Sequence, residues 1–190
     1  MQSSDQKPLD QKLVFELVQN EVVSRRPKYA IVDLRLNQGG NLFITVLFTQ
    51  ALPRLLPPDG RVFVLVGRAT FSAALVTAAM LKANGGNRTV LIGETMGDAD
   101  RFWAEGGNMT LPHSKIEVRY CDGFHDWAAG CTDLDTCYWA AVAFGVRYIS
   151  LVPEVHVEPT FAEYATGQDP VLAAALALVH ASEQGSFIAG

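Results

Sequence analysis

A serine and a pair of glycines each follow a largely apolar run of this 190-residue chain. The run at residues 30–34 leads into a turn that contains Gly39-Gly40, and the run at residues 62–66 leads into a turn that contains Ser72. A serine between a strand and a helix exposes its hydroxyl, and a nearby glycine pair offers backbone N–H groups to an oxyanion. Because acyl transfer needs both features, the pattern predicts Ser72 as a nucleophile.

Five motifs in the same order resemble those of the tail-specific, or C-terminal processing, peptidases, a serine peptidase family with a crotonase-like core. They are Asp33-Leu-Arg-Leu-Asn-Gln-Gly-Gly40, Thr70-Phe-Ser-Ala-Ala74, Leu91-Ile-Gly-Glu-Thr-Met-Gly97, Leu111-Pro-His-Ser114 and Leu151-Val-Pro-Glu-Val-His-Val157. The resemblance implies an α/β fold of the crotonase or ClpP type, a spiral of strand–helix units. It also implies an endopeptidase that acts on peptide or protein substrates through an acyl-enzyme.

The resemblance further implies which residues surround the nucleophile. The oxyanion donors are the backbone N–H of Gly39 or Gly40 and that of Ala73, and losing one such donor typically costs about 3 kcal/mol in the barrier. The residues implied to contact substrate are Phe71, Thr95 and His113. A purely structural alternative is that the glycine pair is only a tight turn and that Ser72 is only a helix N-cap.

The general base is not assigned by the sequence. Many members of the family carry a lysine after a Thr-x-Gly sequence, and here Asp98 follows Thr95-Met96-Gly97. Other branches use a histidine upstream of the first motif, whereas the first histidine of this chain is His113. A carboxylate with a pKa near 4 is a weak base toward a hydroxyl, so Asp98 is not given that role. His113 and His125 are candidates, with a surface position as the alternative.

Activity is therefore left open, leaning toward a serine peptidase that lacks the usual lysine. The alternative is a catalytically impaired or truncated family member that acts as a peptide-binding or assembly module. Crotonase-type acyl-CoA chemistry is disfavoured, because no basic cluster lies near the glycines to take the nucleotide phosphates. Asp33 and Arg35 are expected to pair with each other or to anchor their turn.

Composition is typical of a layered α/β protein that needs neither metal nor disulfide to fold, with 49% hydrophobic and 18% charged residues. The net charge is −5, and the only basic cluster, residues 24–28, is too short to follow a phosphate backbone. We therefore expect no nucleic-acid partner. No apolar run approaches the roughly 18 residues of a membrane span, and no cofactor or metal ion is expected.

Periodicity predicts alternating helices and strands that form a mostly parallel sheet covered by helices. The first strand, residues 29–34, is expected to be covered on both faces, and Pro53 is expected to help end the helix that follows. The later part is expected to contain a hairpin around residues 112–114, a loop at 121–138, a strand residue His156 facing solvent and a closing helix at 171–180. The remaining predicted elements are helices at 41–55 and 72–84, strands at 61–66 and 89–92, and a first helix that ends near residue 24.

One catalytic core domain is predicted for residues 1–190. Its parts are the N-terminal helix region 1–28, the core 29–120 with the site motifs, an insertion at 121–140, and closing strands and helix at 141–190. The 28 residues before Tyr29 are too few for the upstream strands or PDZ module of the family, so we expect a missing upstream segment or reduced machinery. The resemblance implies a periplasmic or secreted location, although residues 1–10 show no signal sequence. Exposed sheet edges in this fold also allow a homo-oligomer.

Three cysteines, Cys121, Cys131 and Cys137, occur within the predicted insertion. An odd number cannot pair completely, so the sequence allows one disulfide with one free thiol, or three thiols. A zinc site would need a fourth ligand such as His125, and the spacing fits no common zinc motif.

Overall fold

The computed structural model describes residues 11–146 and 150–184, which fall into two compact units. We call residues 11–97 together with 152–184 the sheet unit, and residues 98–146 together with 150–151 the insertion unit. The described elements of the sheet unit are α1 (Gln11–Arg25), β1 (Tyr29–Asp33), α2 (Phe43–Leu55), β2 (Arg61–Val66), α3 (Ala73–Gly85), a 3₁₀ turn (Gly86–Arg88), β3 (Thr89–Gly93), β8 (Val155–His156), α5 (Phe161–Ala165) and α6 (Pro170–Glu183). Those of the insertion unit are β4 (Arg101–Ala104), β5 (Gly107–Thr110), β6 (Glu117–Tyr120), β7 (Gly123–Asp126) and α4 (Trp139–Ala143).

A four-stranded parallel sheet in the order β1-β2-β3-β8 forms the centre of the sheet unit. Asp33 at the end of β1 lies opposite Leu65, and Val66 at the end of β2 lies opposite Gly93. The carboxyl ends of the first three strands therefore lie at one edge of the sheet. This alternation of helices with parallel strands confirms the predicted fold class.

The core of the sheet unit is built on the two central strands. Phe63, Leu65 and Ile92 are buried and pack with Val171 and Ala175 of α6 on one face. The intervening residues of β2 point to the opposite face, because side chains alternate along a strand, and α3 contacts both β2 and β3. Burial of each large apolar side chain contributes roughly 1.5–3 kcal/mol. Central β2 is buried from its second residue onward, as its continuous apolar sequence predicts.

Two local predictions in the sheet unit are wrong. Strand β1 is not covered on both faces: it lies at the end of the strand order, and Ile31 is 38% exposed. Pro53 does not end its helix but lies inside α2, which continues to Leu55. The expectation for His156 is confirmed, because it lies in β8 with an exposed side chain 3.2 Å from Glu158.

The insertion unit contains two small antiparallel sheets. Strands β5 and β6 form the predicted hairpin, with Met109 opposite Val118. Strands β4 and β7 form the second sheet, with Phe102 opposite His125. The prediction of an irregular loop at residues 121–138 is therefore wrong for β7. That strand has too few residues to show a period, and its partner β4 lies some twenty residues away in sequence.

The cysteines divide into one bridge and one thiol. Cys131 and Cys137 form a disulfide, and Cys121 is free and exposed. Within the described residues, no group of three or more His, Cys, Asp or Glu side chains is arranged to hold a metal ion. The same residues include no helix with the length and apolar character needed to cross a bilayer.

Arg35 connects the end of β1 to the start of α6. Its guanidinium donates to both carboxylate oxygens of Asp33 and, at 2.7 Å, to Asp169, which is the N-cap of α6. The expectation that Asp33 and Arg35 pair is confirmed, and Asp169 is a third member that sequence spacing did not reveal. Hydrogen bonds from Arg35 hold the pKa of Asp33 and of Asp169 below the ordinary value of 3.8.

Replacing Arg35 by lysine is expected to destabilise the fold by about 0.5–1 kcal/mol at pH 7, because an ammonium keeps the charge but loses the forked contact. The two carboxylates have depressed pKa values in the folded state, so their stabilisation is present above about pH 4 and is lost as the pH falls further. Urea unfolding at pH 7 and pH 3 should therefore show a smaller difference between wild type and Arg35→Lys at pH 3. Arg54→Lys, at an exposed position of α2, is the control, and an equal difference at both pH values would contradict the assignment.

Candidate active site

The turns that follow β1, β2 and β3 are hydrogen-bonded to one another. The N–H of Phe71, after β2, donates to the carbonyl of Asn37, after β1, at 3.1 Å. The N–H of Gly97, after β3, donates to the carbonyl of Thr70 at 3.2 Å. Ligands of parallel α/β sheets bind outside the carboxyl ends of the strands, so these turns are the first place to seek a site.

Thr70 attaches the second turn to the first strand. It is completely buried, and its hydroxyl donates to the carbonyl of Leu34 at 2.9 Å while accepting the N–H of Gly67 at 2.9 Å. Thr70 lies in one of the five motifs, but the sequence alone gives it no role. The available signal was a β-branched hydroxyl residue in the short turn that follows the largely apolar strand β2, where a buried hydroxyl needs partners.

Ser72 has an unusual backbone conformation at the start of α3. Its φ of +51° and ψ of −123° are rarely adopted by residues other than glycine and cost roughly 1–3 kcal/mol. At the other end of α3 nearly the same conformation, φ +55° and ψ −132°, is occupied by Gly86. Ser72 is the N-cap residue, but its side chain makes no capping hydrogen bond. The N-cap alternative therefore does not account for a serine here.

The glycine pair approaches this serine closely. A Cβ atom added to Gly39, whose φ is +98°, would lie 2.8 Å from Cβ of Ser72 and 2.9 Å from the backbone nitrogen of Ala73. The N–H of Gly39 donates to Oδ1 of Asn37 at 2.9 Å. A Cβ added to Gly40 would meet no described atom within 4 Å. Gly39 thus permits contact between the turns, and Gly40 borders open space.

Gly39 packs directly against Ser72 and Ala73, and Gly40 follows Gly39 in the chain. Phe71, directly before the serine, is 45% exposed. Thr95 is exposed. It lies in the turn after β3, in which the N–H of Gly97 donates to the carbonyl of Thr70. The neighbouring residue Glu94 forms an ion pair with Arg68 at 2.7 Å.

The two histidines considered as bases both belong to the insertion unit. His113 is exposed in the turn between β5 and β6. His125 is buried, with its ring stacked 4.5 Å from the rings of both Phe102 and Tyr138. These contacts favour a packing role for His125.

Both ring nitrogens of His125 face other groups of the insertion unit. Nε1 of Trp127 donates to Nδ1 at 3.1 Å, so the proton of the neutral ring is on Nε2. Nε2 lies 3.4 Å from Oε1 of Glu105, without hydrogen-bond geometry. Burial lowers the pKa of His125 below 6.5, and the charges of Glu105 and Asp98 only partly oppose this. The imidazole is therefore neutral at pH 7.

No protein-family model and no curated protein sequence matches this chain. Among solved structures, the putative peptidase of Parabacteroides merdae ATCC 43184 is similar over 94% of this chain and 59% of its own, with 16% identity and a TM-score of 0.58. Similarity is weaker to tricorn protease, over 82% of this chain and 15% of that protein, with 19% identity and a TM-score of 0.48. It is weaker also to the photosystem II D1 C-terminal processing protease, over 78% of this chain and 38% of that protein, with 19% identity and a TM-score of 0.41. The chain thus spans about three fifths of the Parabacteroides protein, and this similarity confirms the expected α/β fold.

Ser72→Gly is expected to stabilise the protein by about 1 kcal/mol, because glycine adopts the strained conformation of Ser72 at little cost. Ser72→Ala keeps the strain and should leave the stability within about 0.5 kcal/mol of wild type. Thermal and urea unfolding of the three proteins measure this difference. Equal stability of the glycine and alanine variants would show that the backbone at this position is not strained.

The stability of the protein should fall as the pH drops below 6.5, because the unfolded chain then binds a proton that folded His125 resists. The decline should continue down to the lowered pKa of the folded state. His125→Phe is expected to cost about 1–3 kcal/mol at pH 8, since Trp127 loses its acceptor, and to flatten this pH dependence. All three tryptophans lie in the insertion unit, so urea unfolding followed by tryptophan fluorescence between pH 8 and pH 5 is the measurement. His113→Gln, at an exposed position, should retain the wild-type dependence, and loss of the dependence in that variant instead would contradict the assignment.

Proposed function

We propose that this chain is a serine-type endopeptidase that cleaves peptide or protein substrates through an acyl-enzyme on Ser72. In this proposal the Ser72 Oγ attacks the scissile carbonyl and forms an ester, the peptide C–N bond breaks, and the hydroxyl proton ends on the leaving amine, while the backbone N–H groups of Gly40 and Ala73 stabilise the intermediate oxyanion. The contact between Gly39 and the peptide that links Ser72 to Ala73 supports the proposal, because one substrate carbonyl must reach both the nucleophile and the two donors.

The observation that carries the proposal is a serine in a conformation that suits glycine. A φ near +51° combined with a ψ near −123° is adopted far more readily by glycine than by serine, and α3 itself ends on a glycine in this conformation, Gly86. A strained strand-to-helix turn is how α/β-hydrolases expose a nucleophilic serine. The cost at Ser72 is explained if its hydroxyl performs chemistry.

Hydrogen bonding distinguishes the two glycines as oxyanion donors. Gly39 already donates its N–H to Asn37, so its amide is committed to the turn. Gly40 borders open space and is the better donor, paired with the Ala73 amide at the N-terminus of α3, where the helix dipole favours negative charge. We therefore assign the oxyanion contact to Gly40 and the close packing to Gly39.

The substrate side of the proposal uses exposed residues. Phe71, directly before Ser72, offers an apolar surface to a peptide side chain. Thr95 and His113 are further proposed substrate contacts, as the resemblance implies. Neither Asp98 nor His125 is proposed as the base, because the first is a weak base toward a hydroxyl and the second has both nitrogens buried.

The second candidate function is a peptide-binding or assembly module without catalysis. It is favoured by Asp98 at the position where the resemblance implies a lysine. Such a module would keep the exposed apolar groups near Ser72 but would form no acyl-enzyme.

Labelling with a fluorophosphonate tests the proposal directly. The wild-type chain should be labelled and should hydrolyse peptides from a mixed-sequence library, whereas Ser72→Ala should lose labelling and lower hydrolysis by roughly 10³-fold or more, since the nucleophile is removed. Mass spectrometry of labelled peptides locates the modified residue. Ser24→Ala, at an exposed position of α1, is the control and should behave as wild type.

The outcomes separate the two candidates. Absence of labelling and hydrolysis, together with equal peptide binding by wild type and Ser72→Ala, would favour the binding module. Equal labelling of wild type and Ser72→Ala would remove Ser72 from the mechanism.

A further inference from the structure

The β5–β6 hairpin of the insertion unit has one apolar and one polar face. Residues directly opposite each other in the hairpin share a face, so Met109 and Val118 lie together, flanked by Tyr120 on one side and by Leu111 and Ile116 on the other. These five side chains are 38–59% exposed. The opposite face carries Asn108, Thr110, Glu117 and Arg119. An exposed apolar sheet face of this kind marks an interaction surface.

Strand β6 also has an open edge. Among the described residues it pairs only with β5, and each of its residues is exposed. The N–H of Leu111 donates to the carbonyl of Ile116 at 2.9 Å, so Ile116, Val118 and Tyr120 direct their backbone polar groups toward β5. The groups of Glu117 and Arg119 consequently point outward. An edge with unpaired backbone groups is a template for another strand.

We propose that β6 pairs with β6 of a second copy of this chain, antiparallel, about a two-fold axis at Val118. In this register Glu117 lies opposite Arg119 of the second copy, and the outward-pointing backbone groups of these two residues form reciprocal hydrogen bonds. The symmetry repeats the same ion pair on the other side of the axis. Backbone pairing and charge complementarity therefore favour one arrangement.

Neighbouring registers are disfavoured by charge. An axis at Glu117 would place two glutamates opposite each other and Lys115 opposite Arg119 of the second copy. An axis at Arg119 would place two arginines opposite each other. An axis midway between two residues would place residues whose backbone groups point outward opposite residues whose backbone groups point toward β5. Among these registers, only the axis at Val118 combines matched backbone groups with opposite charges.

The same register joins the apolar faces. Ile116 lies opposite Tyr120 of the second copy, and Val118 meets its own counterpart at the axis, so the two hairpins form one continuous four-stranded sheet with a single apolar face. Among the described residues of one chain, the Arg119 guanidinium donates to the carbonyl of Glu105 at 3.4 Å. The carboxylate of Glu117 from the second copy is a better partner, because an ion pair adds charge to the hydrogen bond.

Charge reversal at the edge tests the proposal. Sedimentation equilibrium of the wild type should show a concentration-dependent increase from the chain mass of 20.6 kDa to twice that value. Glu117→Arg and Arg119→Glu should each weaken dimerisation by about tenfold or more, because every opposite-charge pair becomes a like-charge pair. An equimolar mixture of the two variants should recover the dimer, since each pair then joins an arginine with a glutamate.

The exposed hairpin allows these substitutions without disturbing a core, and circular dichroism checks the fold. Asp135→Arg makes the same change in net charge as Glu117→Arg, at an exposed position outside the hairpin, and should dimerise as wild type. A wild-type chain that stays monomeric up to about 1 mM, whether the hairpin stays bare or takes up an extended peptide, would overturn the proposal. So would a dimer that is unaffected by either single reversal, or a mixture that fails to recover it. None of these outcomes depends on Ser72 or on peptidase activity.

Discussion

The buried hydroxyl of Thr70 joins two neighbouring parallel strands at the point where both end. It binds the carbonyl of Leu34 after β1 and the N–H of Gly67 after β2. Such a bond is worth little when it exchanges with water, but a buried hydroxyl with two backbone partners is costly to break. The turn from Gly67 to Ser72 is thereby held against the turn that contains the glycine pair.

This restraint explains how Ser72 keeps its conformation. Strained backbone persists only where the surrounding structure leaves no relaxed alternative. Here the preceding residue Phe71 is bonded to Asn37, the following helix α3 is buried in the core, and Gly39 packs on the peptide that links Ser72 to Ala73. The sheet therefore fixes the geometry around Ser72. The free energy gained by burying β2 and β3 in the core offsets the cost of the unfavourable backbone conformation at Ser72.

The insertion unit is organised differently. Its centre is a neutral imidazole, His125, between aromatic rings, with a disulfide between Cys131 and Cys137 close by in the chain. Small sheets bury little apolar area, so aromatic stacking and a covalent bridge supply what a larger core would otherwise provide. The β5–β6 hairpin retains an exposed apolar face and an open edge, which are features of a surface that binds a partner.

Sequence alone was sufficient for the alternation of strands and helices in the sheet unit and for the motifs around Ser72, because buried parallel strands are continuous apolar runs and helices between them have local signals. It could not choose between Gly39 and Gly40 as the proposed oxyanion donor, because it does not show that the Gly39 N–H donates to Oδ1 of Asn37. Nor could it pair Cys131 with Cys137 among three cysteines. Strands β4 and β7 are only four residues long and join residues far apart in the chain, as do Arg35 and Asp169. Such contacts depend on how distant segments pack, and only the tertiary structure determines that packing.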